Sequence, residues 1–116
     1  MDMQVVEISQ GVVRVLLKGR LDIMGAAKID LEFSALAGAQ QGIVVDMSEV
    51  TFLASIGIRV LVLGAKSVGR RGGSLVLLNP NDMVTDVLVT SGVSNMMEIV
   101  RSESEAEAAL KAHTAG

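Results

Sequence analysis

The chain has 116 residues, one histidine, no cysteine and a net charge of −3 at neutral pH. The lack of cysteine excludes disulfides and cysteine-based zinc or redox sites, and the acidic balance without Tyr or Trp offers no surface typical of nucleic-acid binding. This length predicts one domain over residues 1–116, with an aliphatic core because half of the residues are apolar. With no secretory signal pattern and no apolar run long enough to span a bilayer, we expect a cytoplasmic protein without direct membrane insertion.

The N-terminal third of the chain predicts a hairpin followed by a helix. Residues 3–9 and 12–19 are rich in β-branched residues, and Gln10-Gly11 between them suits a tight turn. We therefore expect two antiparallel strands at a sheet edge. In residues 24–39, apolar side chains recur at helical spacing with charges between them, which predicts the first helix.

The middle of the chain predicts a buried strand and a second helix. Residues 43–47 form a short continuous apolar run, as expected of a strand covered on both faces. Asp46 is then expected near the end of this strand, and residues 48–51 in a turn. From Ser55 to Arg71 the pattern is helical, and it ends in cations and glycines that favour a helix C-terminus.

The last third predicts two more strand–helix units. The strands are residues 74–79 and 97–100. One helix starts within N-P-N-D, residues 79–82, with an asparagine or aspartate cap and the proline at its beginning, and runs to about Thr90. The other helix is residues 102–113, with a serine cap. The element order is β-β-α-β-α-β-α-β-α. Helices that alternate with strands predict an α/β domain in which helices pack against a mainly parallel sheet.

Enzyme signatures are weak or missing. The segment 62–67 lacks the glycine and lysine of a phosphate-binding loop, and the glycine-rich segment 69–74 follows a helix where such a loop precedes one. There is no nucleophile elbow. The single histidine, His113, is expected in a solvated tail, and the glutamates at 103, 105 and 107 diverge around a helix. We expect no catalytic activity, no cofactor and no metal site.

Ser55 interrupts an apolar run at the start of the second predicted helix. One interpretation is an N-cap, in which its hydroxyl accepts a backbone N–H of the first turn. A second is a phosphate acceptor, because a helix N-terminus favours an anion. On a helical projection Arg59, Lys66 and Arg70 lie about 40°, 20° and 60° from Ser55, so the serine begins a cationic stripe. The apolar flanks of this stripe are Val62 and Leu63.

The segment D-M-S-E-V-T-F-L-A-S-I-G-I, residues 46–58, resembles the signature of STAS domains, the sulphate transporter and anti-sigma factor antagonist family. The common form of that signature is D-x-S-x-V-x-F-[ILM]-D-S-[ST]-G-[LI]. The segments 18–22, 72–80 and 90–93 are also similar, so that the resemblance covers roughly residues 4–111. It implies a single domain with a mixed central β-sheet, including the N-terminal hairpin, flanked by about four helices.

The resemblance also implies a function. Free-standing STAS domains resemble anti-anti-sigma factors, which bind an anti-sigma factor that is also a serine kinase of the histidine-kinase ATPase type. That kinase phosphorylates a serine and so ends the interaction, and a PP2C-type phosphatase restores it. The phosphorylated serine falls on Ser55, whereas Ala54 and Ile56 replace the usual acidic residue before it and the usual Ser or Thr after it.

On this reading we expect one surface for the partner and one set of residues that organise its loop. The partner-binding residues are Asp22, Ala54, Ser55, Ile56, Gly57, Arg59, Val62 and Leu63, and the loop-organising residues are Asp46, Ser48 and Thr51. The alternative is an accessory subunit of a lipid or anion transporter, in which Ser55 is only a cap and the second helix contacts a transporter subunit. The sequence leaves the oligomeric state open.

Overall fold

A computed structural model gives the architecture of the chain. It describes the backbone of residues 1–114 and the side chains of residues 1–111, so the prediction for His113 lies outside the described side chains. The elements are β1 (Asp2–Ser9), β2 (Val12–Leu21), α1 (Ile23–Ala39), β3 (Gly42–Leu53), α2 (Ser55–Gly69), β4 (Ser74–Leu78), α3 (Asp82–Thr90), a 3₁₀ turn (Val93–Asn95), β5 (Glu98–Val100) and α4 (Glu103–Thr114). The predicted element order is confirmed.

The strands form one five-stranded sheet in the order β1-β2-β3-β4-β5. β1 and β2 are antiparallel, joined through the turn in which Gly11 has φ 78°. That positive φ suits glycine, which lacks the Cβ that penalises it. The remaining neighbours are parallel, and Val45 of β3 lies between Val15 and Leu77. The sheet is therefore mixed, as predicted.

Helices cover both faces of the sheet, which accounts for the apolar central strands. α1, α2 and α3 lie on one face, which we call the three-helix face. α4 lies alone on the other, the α4 face. On β3, Val45 packs in the core of the three-helix face and Val44 in the core of the α4 face. The side chains of successive strand residues thus alternate between the two cores.

β3 is longer than the apolar pattern predicts. The expected turn over residues 48–51 is wrong, because the strand continues to Leu53. Its second half stays paired with β2, with Glu49 opposite Lys18 and Phe52 opposite Arg20. Polar residues suit this stretch because it lies beyond the end of β4 and is partly exposed. Asp46 consequently lies in the middle of β3 and not at its end.

Side-chain caps stabilise three of the helices at their N-termini. Asp22 caps α1, accepting a hydrogen bond from the Gly25 N–H at 2.9 Å. Asn81 caps α3, accepting from the Val84 N–H at 2.8 Å, and Ser102 accepts from the Glu105 N–H at 3.2 Å at the start of α4. The predicted asparagine and serine caps are confirmed, but Pro80 precedes the Asn81 cap and does not lie at the beginning of α3. α2 is the exception.

Candidate functional site

The N-terminus of α2 has no side-chain cap. The N-cap residue is Ala54, with φ −98° and ψ 167°, and its carbonyl accepts hydrogen bonds from the N–H groups of Gly57 and Ile58 at 3.0 and 3.1 Å. Ser55 is the first helical residue and is exposed. The prediction that Ser55 caps the helix is therefore wrong, because the extended cap conformation is adopted one residue earlier. The hydroxyl of Ser55 makes no hydrogen bond with a described residue.

The start of α2 is held against the end of β2. The Ala54 N–H donates to the Leu21 carbonyl at 3.0 Å, and Gly57 lies directly over the same residue. A Cβ placed on Gly57 would lie 2.6 Å from Leu21 Cγ and 2.7 Å from its carbonyl oxygen. Only glycine permits this approach without displacing the neighbour. Ser55 is thus presented by a backbone fixed on both sides.

Asp22 lies next to this contact, at the start of α1. The hydrogen bond from the Gly25 N–H is the main reason that the pKa of Asp22 lies below its ordinary value, and Arg20 lowers it further. The Arg20 Nε lies 3.4 Å from Asp22 Oδ2, and its guanidinium carbon lies 4.2 Å from the centre of the Phe52 ring. Arg20 therefore joins the ends of β2 and β3 beside the Ser55 segment.

The exposed side of α2 is cationic with apolar flanks, as the helical projection predicts. Arg59, Lys66 and Arg70 are exposed, and none of them makes an ion pair with a described residue. Leu63 is 51% exposed and Val62 is half-buried. The opposite side packs into the core through Val60, Leu61, Gly64 and Val68.

Two further apolar side chains near the start of α2, Ile23 and Met24, were missed by sequence reasoning, whereas Ile56 was expected at the partner-binding surface. Ile23 and Met24 of α1 are 75% and 82% exposed, and Ile56 is 38% exposed. Ile23 and Met24 follow Leu21 by only two and three residues, and Leu21 contacts Gly57. The sequence around Ile23 and Met24 has an ordinary amphipathic pattern. Their proximity to Ser55 follows only from the packing of the end of β2 against the start of α2.

The structure separates Asp46 and Ser48 from Ser55. Asp46 follows Val44 by two residues and therefore points to the same α4 face, where Arg14 donates to it at 2.6 Å. The N–H and hydroxyl of Ser48 also donate to Asp46, at 3.0 and 2.7 Å. Arg14 additionally pairs with Glu103 of α4. This network joins β2, β3 and α4 on the sheet face opposite α2.

Asp46 is ionised within this network. Burial is the largest single effect and acts to raise the pKa of Asp46, but the hydrogen bonds from Arg14 and Ser48 outweigh it and hold the pKa below its ordinary value. Thr51 is exposed on β3, and no described hydrogen bond links it to the Ser55 segment. The loop-organising contacts described here come from Leu21 and not from Asp46, Ser48 or Thr51.

Within residues 1–111 no three His, Cys, Asp or Glu side chains are grouped so that they could hold a metal ion. Among the described helices, none combines the length and the apolar character needed to cross a membrane.

Comparison with known proteins identifies the family. The STAS domain family model matches residues 3–106. The anti-sigma-B factor antagonist of Listeria monocytogenes is 30% identical over 93 residues, covering 78% of this chain and 81% of that protein.

Solved structures share the fold. The anti-sigma factor antagonist SpoIIAA in its unphosphorylated form superposes with a TM-score of 0.81 at 24% identity, covering 96% of this chain and 97% of that chain. The phosphorylated form of SpoIIAA from Bacillus gives a TM-score of 0.72 at 24% identity, covering 93% and 98%. The family match and the fold agree with the signature around Ser55, and the chain belongs to the STAS domain family.

Proposed function

We propose that this protein is an anti-sigma factor antagonist whose binding is switched off by phosphorylation of Ser55. The observation that carries the proposal is the position of the Ser55 hydroxyl: exposed, unused as a cap, and on the first turn of a helix with a free cationic stripe. The Listeria relative is named an anti-sigma-B factor antagonist, and SpoIIAA exists in phosphorylated and unphosphorylated forms. Those names support the same function for this chain.

The N-terminus of α2 suits a phosphate on Ser55. No described residue accepts a hydrogen bond from the backbone N–H of Ser55 or Ile56, as is usual in a first helical turn. A phosphoserine adds about −1.5 to −2 charges and strong acceptor oxygens. The helix dipole and Arg59, one turn further along, favour that charge. Modification is therefore compatible with the fold and acts mainly on what binds to it.

The partner would rest on a surface that we call the switch surface. It comprises the residues around and along the start of α2 that we expect to contact the partner: Asp22, Ala54, Ser55, Ile56, Gly57, Arg59, Val62 and Leu63. A partner seated on Ile56 and Leu63 would desolvate the Ser55 hydroxyl at small cost. It would desolvate a phosphate dianion at a much larger cost, so that phosphorylation expels it.

The partner in this proposal is an anti-sigma factor that is itself a serine kinase of the histidine-kinase ATPase type. A PP2C-type phosphatase would remove the phosphate and restore binding. Both identities follow from the STAS resemblance of the segment around Ser55. Ala54 leaves no carboxylate directly before the serine, so the kinase and phosphatase must recognise the site without that charge.

The proposal is tested by phosphorylation and by binding. The kinase of the same organism and ATP are incubated with the protein, and intact-mass and peptide mass spectrometry should place one phosphate on Ser55 and none on the Ser55→Ala variant. In calorimetry with the kinase, Ser55→Ala should bind like the unmodified protein. Ser55→Asp should bind at least about tenfold more weakly, because a charge is buried at the contact.

Ser104→Asp is the matched control. Ser104 is an exposed serine in the first turn of α4, so the substitution adds the same charge at a helix N-terminus on the other face of the sheet. It should leave the dissociation constant within about twofold of wild type. Equal binding by wild type and Ser55→Asp, with no phosphate on Ser55, would contradict the proposal and favour the transporter-subunit alternative.

A further inference from the structure

β1 is a long exposed edge of the sheet. Only β2 pairs with it among the described strands, so the groups on its outer side form a row of unpaired backbone donors and acceptors. Its eight residues span about 27 Å. Val5, Val6 and Ile8 are 37%, 58% and 44% exposed. An edge of this length and apolar character is a template for another strand.

The opposite edge of the sheet is protected and β1 is not. β5 at that edge has only three residues. β1 contains no Lys, Arg or Pro, the residues that usually discourage pairing at an edge. Its irregularity lies between Glu7 and Ser9, at the end next to the turn, and leaves residues 2–7 in regular pairing with β2. The regular part of the edge is therefore free to accept a partner strand.

The charges on β1 indicate which strand fits. We propose that β1 pairs antiparallel with β1 of a second copy of this chain, centred on Val5 or Val6. Its only charged residues are Asp2 and Glu7, near opposite ends. In the register centred on Val5, Glu7 faces Met3 of the other copy and Asp2 faces Ile8. In the register centred on Val6, Glu7 faces Val5. Neither register places an acid opposite an acid, whereas parallel pairing in register would oppose each carboxylate with its own copy.

A groove beside β1 adds side-chain burial to this contact. It has a volume of about 650 Å³ and lies between the hairpin and α4, with apolar lining from residues such as Val6, Ile8 and Val12. Val6 pairs with Arg14 and so shares the α4 face with that groove. A second copy of β1 brings its own Val6 to the same face, because directly opposed residues point the same way.

The dimer would have a ten-stranded sheet and two independent switch surfaces. β2 runs antiparallel to β1, so antiparallel pairing of the two β1 strands reverses the direction of the parallel strands between copies. Ser55 follows the C-terminal end of β3. The two copies of Ser55 therefore lie at opposite ends of the strands in the combined sheet. Pairing through β1 leaves both serines accessible, and two partners would bind per dimer.

Cysteine cross-linking tests the contact directly, because the chain contains no cysteine of its own. Val5→Cys and Val6→Cys are made singly, with Val89→Cys as the control, since Val89 is 55% exposed on α3. Residues at the centre of the pairing have Cβ atoms about 5 Å apart, close to disulfide range. One of the two β1 variants should form a disulfide dimer under mild oxidation, and Val89→Cys should not.

The second measurement is sedimentation of the full chain over a concentration series. Wild type should dimerise reversibly, and glutamate at the position that cross-links should weaken the dimer at least about tenfold, because two carboxylates then face each other. Val89→Glu is the matched control and should dimerise like wild type, and circular dichroism checks that each variant is folded. A strictly monomeric wild type at millimolar concentration overturns the proposal.

Two other results would also overturn it. If the protein dimerises but neither β1 cysteine forms a cross-link, the dimer uses another surface. If the protein is a monomer and an extended segment of a different protein pairs with β1, the edge binds that protein and not a second copy. Binding of the kinase and phosphorylation of Ser55 do not depend on β1 pairing. Loss of dimerisation with intact switching, or the reverse, therefore shows which of the two proposals has failed.

Discussion

The close contact between Gly57 and Leu21 predicts that Gly57→Ala destabilises the protein, although alanine is the better helix former. The added Cβ would lie 2.7 Å from the Leu21 carbonyl oxygen and 2.6 Å from its Cγ. Carbon contacts are optimal at about 3.5 Å or more, so the end of β2 and the start of α2 must separate by close to an ångström. The same carbonyl accepts the Ala54 hydrogen bond, which this separation weakens.

The expected magnitude follows from three effects. Overpacking costs about 1–3 kcal/mol, and the weakened hydrogen bond costs about 1 kcal/mol. The higher helix propensity of alanine returns about 1 kcal/mol. The net loss in the free energy of unfolding is therefore about 2 kcal/mol, or a fall of roughly 8 °C in Tm for a domain of this size.

Urea denaturation followed by circular dichroism measures this loss, and Gly69→Ala is the matched control. Gly69 also lies in α2, but a Cβ there has no neighbour within 4 Å. Without a clash, alanine at 69 should be neutral or stabilise the protein by up to about 1 kcal/mol. If Gly57→Ala were as stable as Gly69→Ala, the contact with Leu21 would not hold Ser55 in place.

Three further predictions concern the side chains of Asp46, Asp22 and Leu61. Asp46→Asn should lower the free energy of unfolding by about 2 kcal/mol near neutral pH, because the hydrogen bond from Arg14 loses its charged acceptor. The pKa of Asp46 is depressed on folding, so its contribution to stability is fully present above the unfolded pKa, near 4, and is lost as pH falls through the folded value. Denaturation at several pH values should therefore show the stability difference between wild type and Asp46→Asn shrinking in acid. A difference that stays constant with pH would contradict this. Asp22→Ala should destabilise the protein more than Asp22→Asn in thermal melts, because asparagine also caps a helix; equal effects would argue against a capping role. Leu61→Ala should cost about 3 kcal/mol and the exposed Leu63→Ala less than about 0.5 kcal/mol, as measured by urea denaturation; similar losses would contradict the burial of one side of α2.

The sequence predicted the elements whose patterns are local. The periodicity of α2 depends only on residues 55–69, so its buried and cationic sides could be assigned before any fold was known. The hairpin turn at Gly11 and the cap at Asn81 are likewise set by neighbouring residues. The STAS signature pointed to Ser55 because it is a contiguous segment.

Contacts between distant residues could not be read in the same way. β3 was expected to end near residue 47 because its apolar run stops, but pairing of Glu49 and Phe52 with β2 extends it to Leu53. That extension leaves Asp46 in the middle of a strand, and the alternation of side chains along β3 puts it on the α4 face with Val44. A strand has two faces, and an isolated carboxylate does not reveal which face will supply an arginine.

The sequence by itself determined the α/β order, the cationic side of α2 and the position of one serine at its start. The tertiary structure alone decided that Ala54 and not Ser55 occupies the cap position. It also decided that Leu21 fixes this turn, and that Arg20 joins the two strand ends beside it. Helical periodicity and turn chemistry act over a few residues, whereas these contacts join chain segments about thirty residues apart and exist only once β2 and β3 have paired in register.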